Sequence, residues 1–313
     1  MTFSIVIPAY NGAKYIEKAI LSAINQTRKP DEIIVHDDNS SDETRAICEK
    51  YAQQISYYLN EDGPSGFVNG WNNAIQYAKG DYISILHQDD ILYPTFLEEA
   101  KQALNENPSV RHLFAICDYI NENDEITATL EGCFNDEEKI YNGKEYATAY
   151  QKTYNGMPHI HRCPGVITHR SIFEEGCRYN AAAGHIADDD FFYRVGQYTD
   201  VIGLLQPLAA YRIHSESETG SIGDIKLVER LAKDYIYQVK QWENSSFMDN
   251  LFFQKEAIKF LTRLYMYAYK TKDVLLKESA NLLYVDLKNI KLNKVSYASK
   301  IKLEVAKIIT NFR

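Results

Sequence analysis

Two adjacent aspartates, Asp89 and Asp90, end the segment DYISILHQDD at residues 81–90, in which they follow an alternating apolar stretch. Carboxylates held side by side repel each other, so the pair is stable in its charged form only when a positive charge lies beside it. Divalent cations such as Mg²⁺ and Mn²⁺ prefer oxygen ligands and often link protein carboxylates to substrate phosphates. We therefore expect a divalent cation at this pair and a phosphate-bearing ligand next to it.

Similar polar groups follow two earlier apolar segments. The segment FSIVI runs into Pro8, Ala9, Tyr10 and Asn11, and the segment DEIIVHDD ends in Asp37 and Asp38. Aspartates after strands are most often helix caps or turn formers, and one pair alone favours that interpretation. Two pairs at the ends of successive strands favour a shared site instead.

The elements that position these residues alternate along the chain. Short β-type segments are separated by segments with apolar residues at helical spacing, which predicts an α/β fold with a mostly parallel sheet flanked by helices. Asn11 is a candidate cap for the first helix, and Ser40 with Glu43 resembles a capping box before the second. Ligands of such sheets bind at the carboxyl ends of the strands, so the three polar segments should meet in one crevice.

Composition excludes several classes of function. The net charge is −9 and the pI is about 5.5, so we expect no nucleic-acid partner. The sequence contains neither a dinucleotide-binding glycine motif nor a phosphate-binding loop of the G-x-x-x-x-G-K-S/T type. Five widely spaced cysteines indicate reduced thiols, and the N-terminus lacks a signal-peptide pattern, so a cytoplasmic protein is expected.

Four segments within residues 3–214 together resemble the successive motifs of inverting family 2 glycosyltransferases with the Rossmann-like GT-A fold. They are SIVIPAYNGAKYIEKAILSAINQT, PDEIIVHDDNSSDET, GDYISILHQDDILYP and IADDDFFYRV. The resemblance implies an enzyme that moves a sugar from a UDP- or dTDP-sugar to a hydroxyl of a glycan or lipid-linked acceptor. It further implies a role in bacterial surface polysaccharide synthesis and a requirement for Mn²⁺ or Mg²⁺.

The resemblance also implies roles for individual residues on the donor side. Asp38 would read the pyrimidine ring with Asp37 beside it, and Pro8, Ala9, Tyr10 and Asn11 would surround the nucleotide. Asp90 would bind the metal, and Asp89 would lie on the ribose or metal side. His214 falls where the family has a mobile loop that closes on the diphosphate, so it is a candidate contact to the diphosphate or metal.

Two departures from the family pattern concern the same region. His87 stands where the metal motif most often begins with a carboxylate, and its imidazole can ligate a metal or donate a hydrogen bond. The segment GPSGFVNGWNNAI lacks the arginine that the family usually has there. Asn69, Asn72 or Asn73 would replace it, and His87 and Asn72 are candidate contacts to donor or acceptor.

The base that the reaction needs comes from the fourth motif. An acceptor hydroxyl is a poor nucleophile, and its proton must be removed as the new bond forms. The match to the family motif assigns this role to Asp188, with Asp189 facing solvent and Asp190 as a capping or structural partner.

Further candidates lie between the third and fourth motifs and after the fourth. His159, His161 and Cys163 alternate and would share one face of a strand, but without a fourth ligand a zinc site is disfavoured. An acceptor-side loop with buried polar contacts is expected instead. The resemblance to the family further implies that His161 lines the acceptor side of the cleft. Arg212, just before His214, is a further candidate contact to donor or acceptor.

The predicted organisation is a catalytic domain over residues 1–220 and a helical C-terminal region over 221–313. The catalytic domain would divide into a nucleotide-sugar half (1–105) and an acceptor half (106–220). The C-terminal segment KNIKLNKVSYASKIKLEVAKIITNFR is basic and amphipathic, which fits a packed helix, a homodimer contact or a peripheral contact with the inner face of the membrane.

Two alternatives to a glycosyltransferase remain open at this point. One is a catalytically silent module that binds a sugar nucleotide or a glycan on the same fold. The other is a nucleotidyltransferase, although AYNGAKY matches poorly the glycine-rich and basic loop that such enzymes carry. Release of a nucleoside diphosphate together with a new glycosidic product would distinguish the first reading from both alternatives.

Overall fold

The architecture is described here from a computed structural model. It covers residues 1–129, 138–152, 161–215, 225–248, 250–290, 292 and 295–311. The chain divides into two compact units. The first consists of Met1–Tyr179 and Phe191–His214, and the second of Asn180–Asp190 and Ser215–Arg313. The predicted boundary at residue 220 assigns residues 180–190 to the catalytic domain, whereas in the structure they cluster with the C-terminal helices.

The first unit begins with alternating strands and helices, as the sequence pattern predicts. The strands are β1 (Phe3–Ala9), β2 (Glu32–Asp37), β3 (Ser56–Leu59), β4 (Tyr82–Ile85) and β5 (Ile91–Leu92). The helices between and after them are α1 (Ile16–Ile24), α2 (Thr44–Glu49), α3 (Phe67–Gln76) and α4 (Phe96–Glu106). β1 pairs in parallel with β2 and β4, and β2 pairs in parallel with β3.

The remainder of the first unit adds strands of both directions. These elements are β6 (His112–Ile120), β7 (Ile126–Thr129), β8 (Glu138–Tyr141), α5 (Gly143–Lys152), β9 (Val166–His169), α6 (Arg170–Glu174) and β10 (Val201–Arg212). The strand order is β3-β2-β1-β4-β9-β6-β10-β5, with β7 beside β6 and β8 beside β10. β9 runs antiparallel to both β4 and β6, whereas β10 runs parallel to β6. The sheet is therefore mixed. Its first four strands are parallel to one another, and β6 and β10 form a further parallel pair among antiparallel neighbours.

The main core of this unit forms because the central strands are buried on both faces. Every residue of β1 is buried, as are all but the first of β2. Ile16, Ala19, Ile20 and Ala23 recur at helical spacing on α1 and join the same core. The apolar run of β1 thereby fixes a rigid base from which the chain leaves at Tyr10.

Neither predicted helix cap is formed. α1 begins after Tyr15, and Asn11 instead adopts a positive φ of 47° in the loop before it. α2 begins after Glu43, which makes no side-chain capping bond, while the Ser40 hydroxyl accepts a hydrogen bond from the backbone N–H of Asn11 at 2.8 Å. These polar side chains join two loops at the edge of the sheet instead of capping helices.

The second unit is helical in its described part. It contains the 3₁₀ segment Ala181–Ile186, the first turn of α7 (Ala187–Val195), α8 (Ile225–Gln241), α9 (Asn250–Thr271), α10 (Val274–Lys288) and α11 (Tyr297–Asn311). α9 packs against α8, α10 and α11, and the 3₁₀ segment packs against α8. Among the described helices, none combines the length and hydropathy that a membrane span requires.

Candidate functional site

A tight turn after β4 brings His87, Asp89 and Asp90 together. The backbone N–H of Asp90 donates to the carbonyl of His87 at 3.1 Å, which closes residues 87–90, just before β5, into a turn. One ligand atom from each of the three side chains lies within 4.8 Å of the others. Two carboxylates and an imidazole at this spacing could hold a metal ion.

The Asp90 carboxylate is the buried centre of this group, with 1% of its surface exposed. Its Oδ1 accepts a hydrogen bond from the backbone N–H of Arg212 at 2.9 Å. Its Oδ2 has no hydrogen-bond partner among the described residues and lies 3.8 Å from His87 Nδ1. Burial, together with the neighbouring Asp89 charge, raises the pKa of Asp90 well above its usual value. A buried carboxylate oxygen without a donor fits a cation ligand, since a cation would supply the missing positive charge.

Asp89 differs from Asp90 because it has a histidine partner. Its Oδ2 is 2.9 Å from His214 Nε2, and the His214 ring packs against Tyr15 with centroids 4.9 Å apart. Burial acts to raise the pKa of Asp89, but the His214 hydrogen bond and the His87 and His214 charges outweigh it, so the pKa lies below its usual value. His214 thus contacts the cluster through Asp89, and its predicted bond to the metal or diphosphate stays a prediction.

Arg212 is a structural residue of this turn. Its side chain is buried, and the guanidinium donates to the carbonyls of Asp89 at 2.7 Å and Asn121 at 2.8 Å. It also pairs with the Asp124 carboxylate at 2.6 Å and lies over the Tyr15 ring. The expectation of a donor or acceptor contact is therefore not supported, because these bonds hold Arg212 beneath the turn.

The loop after β1 is joined to the same turn by a side chain that sequence reasoning missed. The Gln88 amide accepts from the Tyr10 N–H at 2.9 Å and donates to the Tyr10 carbonyl at 3.0 Å. Tyr10 keeps 49% of its surface exposed, whereas Pro8 and Ala9 are buried residues of β1. Of the residues expected to pack on a nucleoside, Tyr10 and Asn11 are therefore the ones whose side chains are accessible.

The second aspartate pair is engaged within the protein. Asp37 is buried and accepts from the Ser40 N–H at 2.8 Å and the Tyr57 hydroxyl at 2.6 Å. The donors to Asp38 are Asn60 Nδ2, the N–H groups of Ser65 and Gly66, and the Ser65 hydroxyl, at 2.7 to 3.1 Å.

A carboxylate has about four acceptor positions, so these four bonds saturate Asp38. The predicted bond from a pyrimidine N3–H would require one of them to break. In the structure as it stands, Asp38 orders the loop over residues 60–66.

The asparagine-rich helix α3 contributes an aromatic surface beside the cluster. Trp71 stacks on the His87 ring with centroids 4.9 Å apart and an interplanar angle of 24°. The neighbouring Asn72 amide exchanges two hydrogen bonds with the backbone of Tyr179, at 2.7 and 3.2 Å. Asn72 therefore holds two segments together, and its predicted contact to donor or acceptor stays a prediction.

His161 does not line a cleft. It is fully buried, with Nε2 2.7 Å from the Tyr146 hydroxyl and its ring stacked on Phe114. Burial lowers the pKa of His161 to about 3, so the ring is neutral. His159 lies outside the described residues. The four described cysteines are buried and form no disulfide with one another. His161 is thus part of the core, contrary to the prediction.

The three aspartates of the fourth motif lie in the second unit, in the first turn of α7. Asp188 is partly exposed, and its Oδ1 accepts from the Asp189 N–H at 2.9 Å. Asp189 is buried, contrary to its predicted exposure to solvent. Asp190 accepts a hydrogen bond from the Gln238 amide at 2.7 Å, in line with a structural role. Asp188 is consequently the most accessible of the three carboxylates, and its role as base stays a prediction.

Gln88, Trp71 and the Asn60–Gly66 loop are the parts of the site that the sequence patterns did not indicate. Gln88 lies between predicted metal residues and could have been suspected from that position alone. The stacking of Trp71 on His87 and the saturation of Asp38 depend on contacts between distant segments, for which no local signal exists.

Comparison with known proteins identifies the relatives of this chain. The model of glycosyl transferase family 2 matches residues 4–175. An uncharacterised glycosyltransferase of Rickettsia typhi is 44% identical over 103 residues, which are 33% of this chain and 32% of that protein. The GalNAc(5)-diNAcBac-PP-undecaprenol beta-1,3-glucosyltransferase of Campylobacter jejuni is 37% identical over 117 residues, 36% of this chain and 37% of that protein. The match thus spans about a third of the length of both relatives.

The fold has a counterpart over its whole length. The crystal structure of S. aureus TarS 1–349 in complex with UDP-GlcNAc aligns with a TM-score of 0.68 at 15% identity. The alignment covers 99% of this chain and 91% of that one. The expected GT-A fold with a helical C-terminal region is thereby confirmed.

Proposed function

Since the chain belongs to glycosyl transferase family 2, we propose that it transfers a sugar from a nucleotide diphosphate to a hydroxyl group of an acceptor. The observation that carries this proposal is the group of His87, Asp89 and Asp90 at the end of β4. Its buried, unpartnered Asp90 Oδ2 fits a cation ligand, and a cation-bound diphosphate is the leaving group that such a transfer needs.

The donor would lie against the loop after β1. The Gln88 amide joins the Tyr10 backbone to the turn that carries His87, Asp89 and Asp90. A ligand that spans the loop and the turn would contact the exposed Tyr10 ring at one end and the carboxylates at the other. An aromatic ring and a cation site at the two ends suit a base with its ribose and a diphosphate. A UDP- or dTDP-sugar is the proposed donor, supported by the UDP-GlcNAc complex of TarS, which has the same fold.

Asp38 enters this proposal as a positioning residue. Its four hydrogen bonds order residues 60–66 and leave no acceptor position for the base. Donor recognition would therefore depend on the surface that this loop presents and not on a direct contact of the Asp38 carboxylate.

The cation would be Mn²⁺ or Mg²⁺, held by Asp90 with His87 and Asp89. When bound, it supplies positive charge that stabilises the departing diphosphate oxygens. The protein's own contribution is to hold the two carboxylates in place, which the Arg212 and His214 contacts do. Trp71 restricts the His87 ring by stacking on it.

The transfer would be a single displacement. The acceptor hydroxyl oxygen forms the new bond to the anomeric carbon as the bond from that carbon to the diphosphate oxygen breaks, which inverts the configuration. The hydroxyl proton passes to the Asp188 carboxylate, the proposed general base. The products are the new glycoside and a nucleoside diphosphate.

The proposed acceptor is a glycan or a lipid-linked glycan of a bacterial surface polysaccharide. Support comes from the Campylobacter relative, whose name describes transfer of glucose to an undecaprenol-linked oligosaccharide. A hexose is accordingly the proposed transferred group.

The test is a screen of UDP-, dTDP- and GDP-sugars with Mn²⁺, Mg²⁺ or EDTA, in the presence of lipid-linked oligosaccharides. We expect metal-dependent release of UDP or dTDP together with a glycoside whose anomeric configuration, read by NMR, is opposite to that of the donor. Donor binding without release under all conditions would indicate the silent binding module instead. Consumption of added pyrophosphate, with formation of a nucleoside triphosphate and a sugar 1-phosphate, would indicate a nucleotidyltransferase.

A further inference from the structure

Helix α11 carries apolar residues on two opposite faces. Leu303, Ala306 and Thr310 are buried on the side that packs against α9, where the Thr310 hydroxyl donates to the Tyr265 carbonyl at 3.1 Å. On the other side, residues spaced by four, four and three positions form one continuous strip, because each helical residue turns by about 100°. These residues, the outer stripe, are Tyr297, Ile301, Val305 and Ile308, which are 79%, 44%, 46% and 50% exposed.

Exposed apolar side chains are concentrated in this part of the molecule. Of the 18 large hydrophobic residues that are exposed in the described part of the chain, nine lie on α10 and α11. Single exposed apolar residues are ordinary on a protein surface, but a contiguous helical strip marks an interaction surface.

Basic residues border the outer stripe. Lys300 and Lys302 each lie about 100° from the centre of the stripe, one on either side, by helix geometry. Glu304 lies nearer, about 55° from the centre on the Lys300 side. Its carboxylate accepts a hydrogen bond from the Tyr284 hydroxyl of α10. Residues 272–313 contain nine lysines and arginines against four acidic residues, although the whole chain has a net charge of −9. Lysines at the edges of an apolar strip can bury their stems while the ammonium groups reach an anionic surface.

We propose that the outer stripe of α11 docks on an anionic lipid surface. The helix would lie in the plane of the interface with its apolar strip inserted and Lys300 and Lys302 at the headgroups. Self-association of two copies through the same stripe is the competing occupant, and sedimentation velocity without lipid distinguishes it. The inference concerns lipid binding and does not depend on the proposed sugar transfer.

Helix α10 offers a useful contrast. Its exposed apolar residues Leu275, Leu282 and Val285 share a face with Glu278 and Asp286. Acidic groups within the strip would be repelled by anionic headgroups, so the apolar content of α10 does not make it a lipid-binding surface. On α11 the acidic residue nearest the stripe, Glu304, is bonded to Tyr284 of α10, and Lys300 and Lys302 border the stripe, so α11 is the docking element.

The experiment is co-sedimentation of the full chain with vesicles of phosphatidylcholine alone or mixed with phosphatidylglycerol. We expect binding to the mixed vesicles that weakens as salt is added and little binding to the neutral ones. The double variant Lys300→Gln/Lys302→Gln should bind the mixed vesicles roughly 30-fold less, as expected for two lysines near a charged membrane surface. Ile301→Ser/Ile308→Ser should lose at least about tenfold at any salt concentration.

Matched controls come from the first unit. Lys79→Gln/Lys101→Gln changes the net charge equally, and Ile126→Ser removes a similarly exposed isoleucine on β7. Both should leave vesicle binding unchanged. Thermal unfolding of each variant checks that the fold is retained, and UDP binding in the presence of Mn²⁺ reports separately on the proposed function.

Three outcomes would overturn the proposal. They are absence of binding by the unmodified chain, equal binding to neutral and anionic vesicles, and equal losses in the control and α11 variants. Sedimentation velocity without lipid gives an independent check. A dimer that dissociates in Ile301→Ser/Ile308→Ser would assign the outer stripe to self-association instead of lipid.

Discussion

One oxygen of the buried Asp90 carboxylate accepts a hydrogen bond from the backbone N–H of Arg212, 122 positions further along the chain. The last strand of the sheet thus sets the orientation of the residue on which the candidate metal site depends. The other oxygen is left facing His87 at 3.8 Å. A main-chain donor cannot be removed by substitution of Arg212, so the orientation of Asp90 belongs to the fold and not to one side chain.

The first prediction concerns metal affinity. Asp90→Asn removes the charge that a divalent cation needs while the side-chain oxygen can still accept from Arg212. We expect Mn²⁺ affinity, measured by electron paramagnetic resonance of free Mn²⁺, to fall at least roughly a hundredfold. Asp81→Asn, at the opposite end of β4, is the matched control and should bind Mn²⁺ normally. Equal affinity in Asp90→Asn and the unmodified chain would exclude Asp90 as a ligand.

The second prediction concerns Asp38. Asp38→Ala leaves four hydrogen-bond donors in the 60–66 region without their acceptor, so the free energy of unfolding should fall by roughly 3 kcal/mol. Urea denaturation measures this loss. Asp62→Ala removes an exposed carboxylate from the same loop and should change the unfolding free energy by less than about 0.5 kcal/mol. Unchanged stability combined with a loss of UDP binding would instead assign Asp38 to the nucleotide base.

The third prediction concerns the proposed base. Asp188→Asn keeps the oxygen that accepts from the Asp189 N–H but cannot take up a proton at neutral pH. Donor binding should therefore persist, while the rate of transfer falls by roughly 10²- to 10⁴-fold. Asp189→Asn and Asp190→Asn are buried comparisons and should retain most of the transfer rate. If one of them loses transfer and Asp188→Asn does not, the base is misassigned.

The fourth prediction concerns stability and pH. Burial raises the pKa of Asp234 to about 7, against the opposing hydrogen bond from the His185 N–H at 2.8 Å. Between about pH 4 and 7 the folded protein holds a proton on Asp234 that the unfolded chain releases. The stabilising contribution of protonated Asp234 is therefore complete below pH 4, declines as the pH rises to 7, and is lost above it.

Asp234→Asn removes this titration and keeps an acceptor for the His185 N–H. At pH 8 its free energy of unfolding should exceed that of the unmodified protein by up to about 4 kcal/mol, since one pKa unit corresponds to about 1.4 kcal/mol. At pH 4 the two should differ little. Denaturation at both pH values checks this, with the exposed Glu243→Gln as control. A constant difference at both values would show that Asp234 does not titrate between them.

The sequence predicts the first half of the sheet well because β1, β2 and β4 are largely buried on both faces and the strands alternate with helices of crossover length. The second half is different. β9 runs antiparallel between β4 and β6, and no local pattern encodes a pairing between segments so far apart. The mixed direction of the sheet therefore appears only in the structure.

The same distinction separates the site residues. Asp89 and Asp90 were identifiable because a second aspartate pair ends another strand and because their segment resembles the metal motif of the family, and their grouping with His87 agrees with that expectation. His161 was misread because it is buried in the core, where the Tyr146 hydroxyl satisfies its ring nitrogen. Whether a polar side chain keeps a group available for a ligand depends on the neighbours that the tertiary fold supplies, and residue type alone does not reveal it.

Residues 180–190 belong to the helical unit although the chain on either side of them belongs to the sheet unit. Each unit is consequently built from two separate stretches of the sequence, so neither can be exchanged as one continuous segment. A recombination breakpoint after residue 214 would replace the helices against which this segment packs but keep the segment itself. Chimaeras between relatives would then combine residues 180–190 of one protein with the C-terminal helices of another. We therefore expect substitutions in the C-terminal helices and in the Asp188 segment to accumulate together.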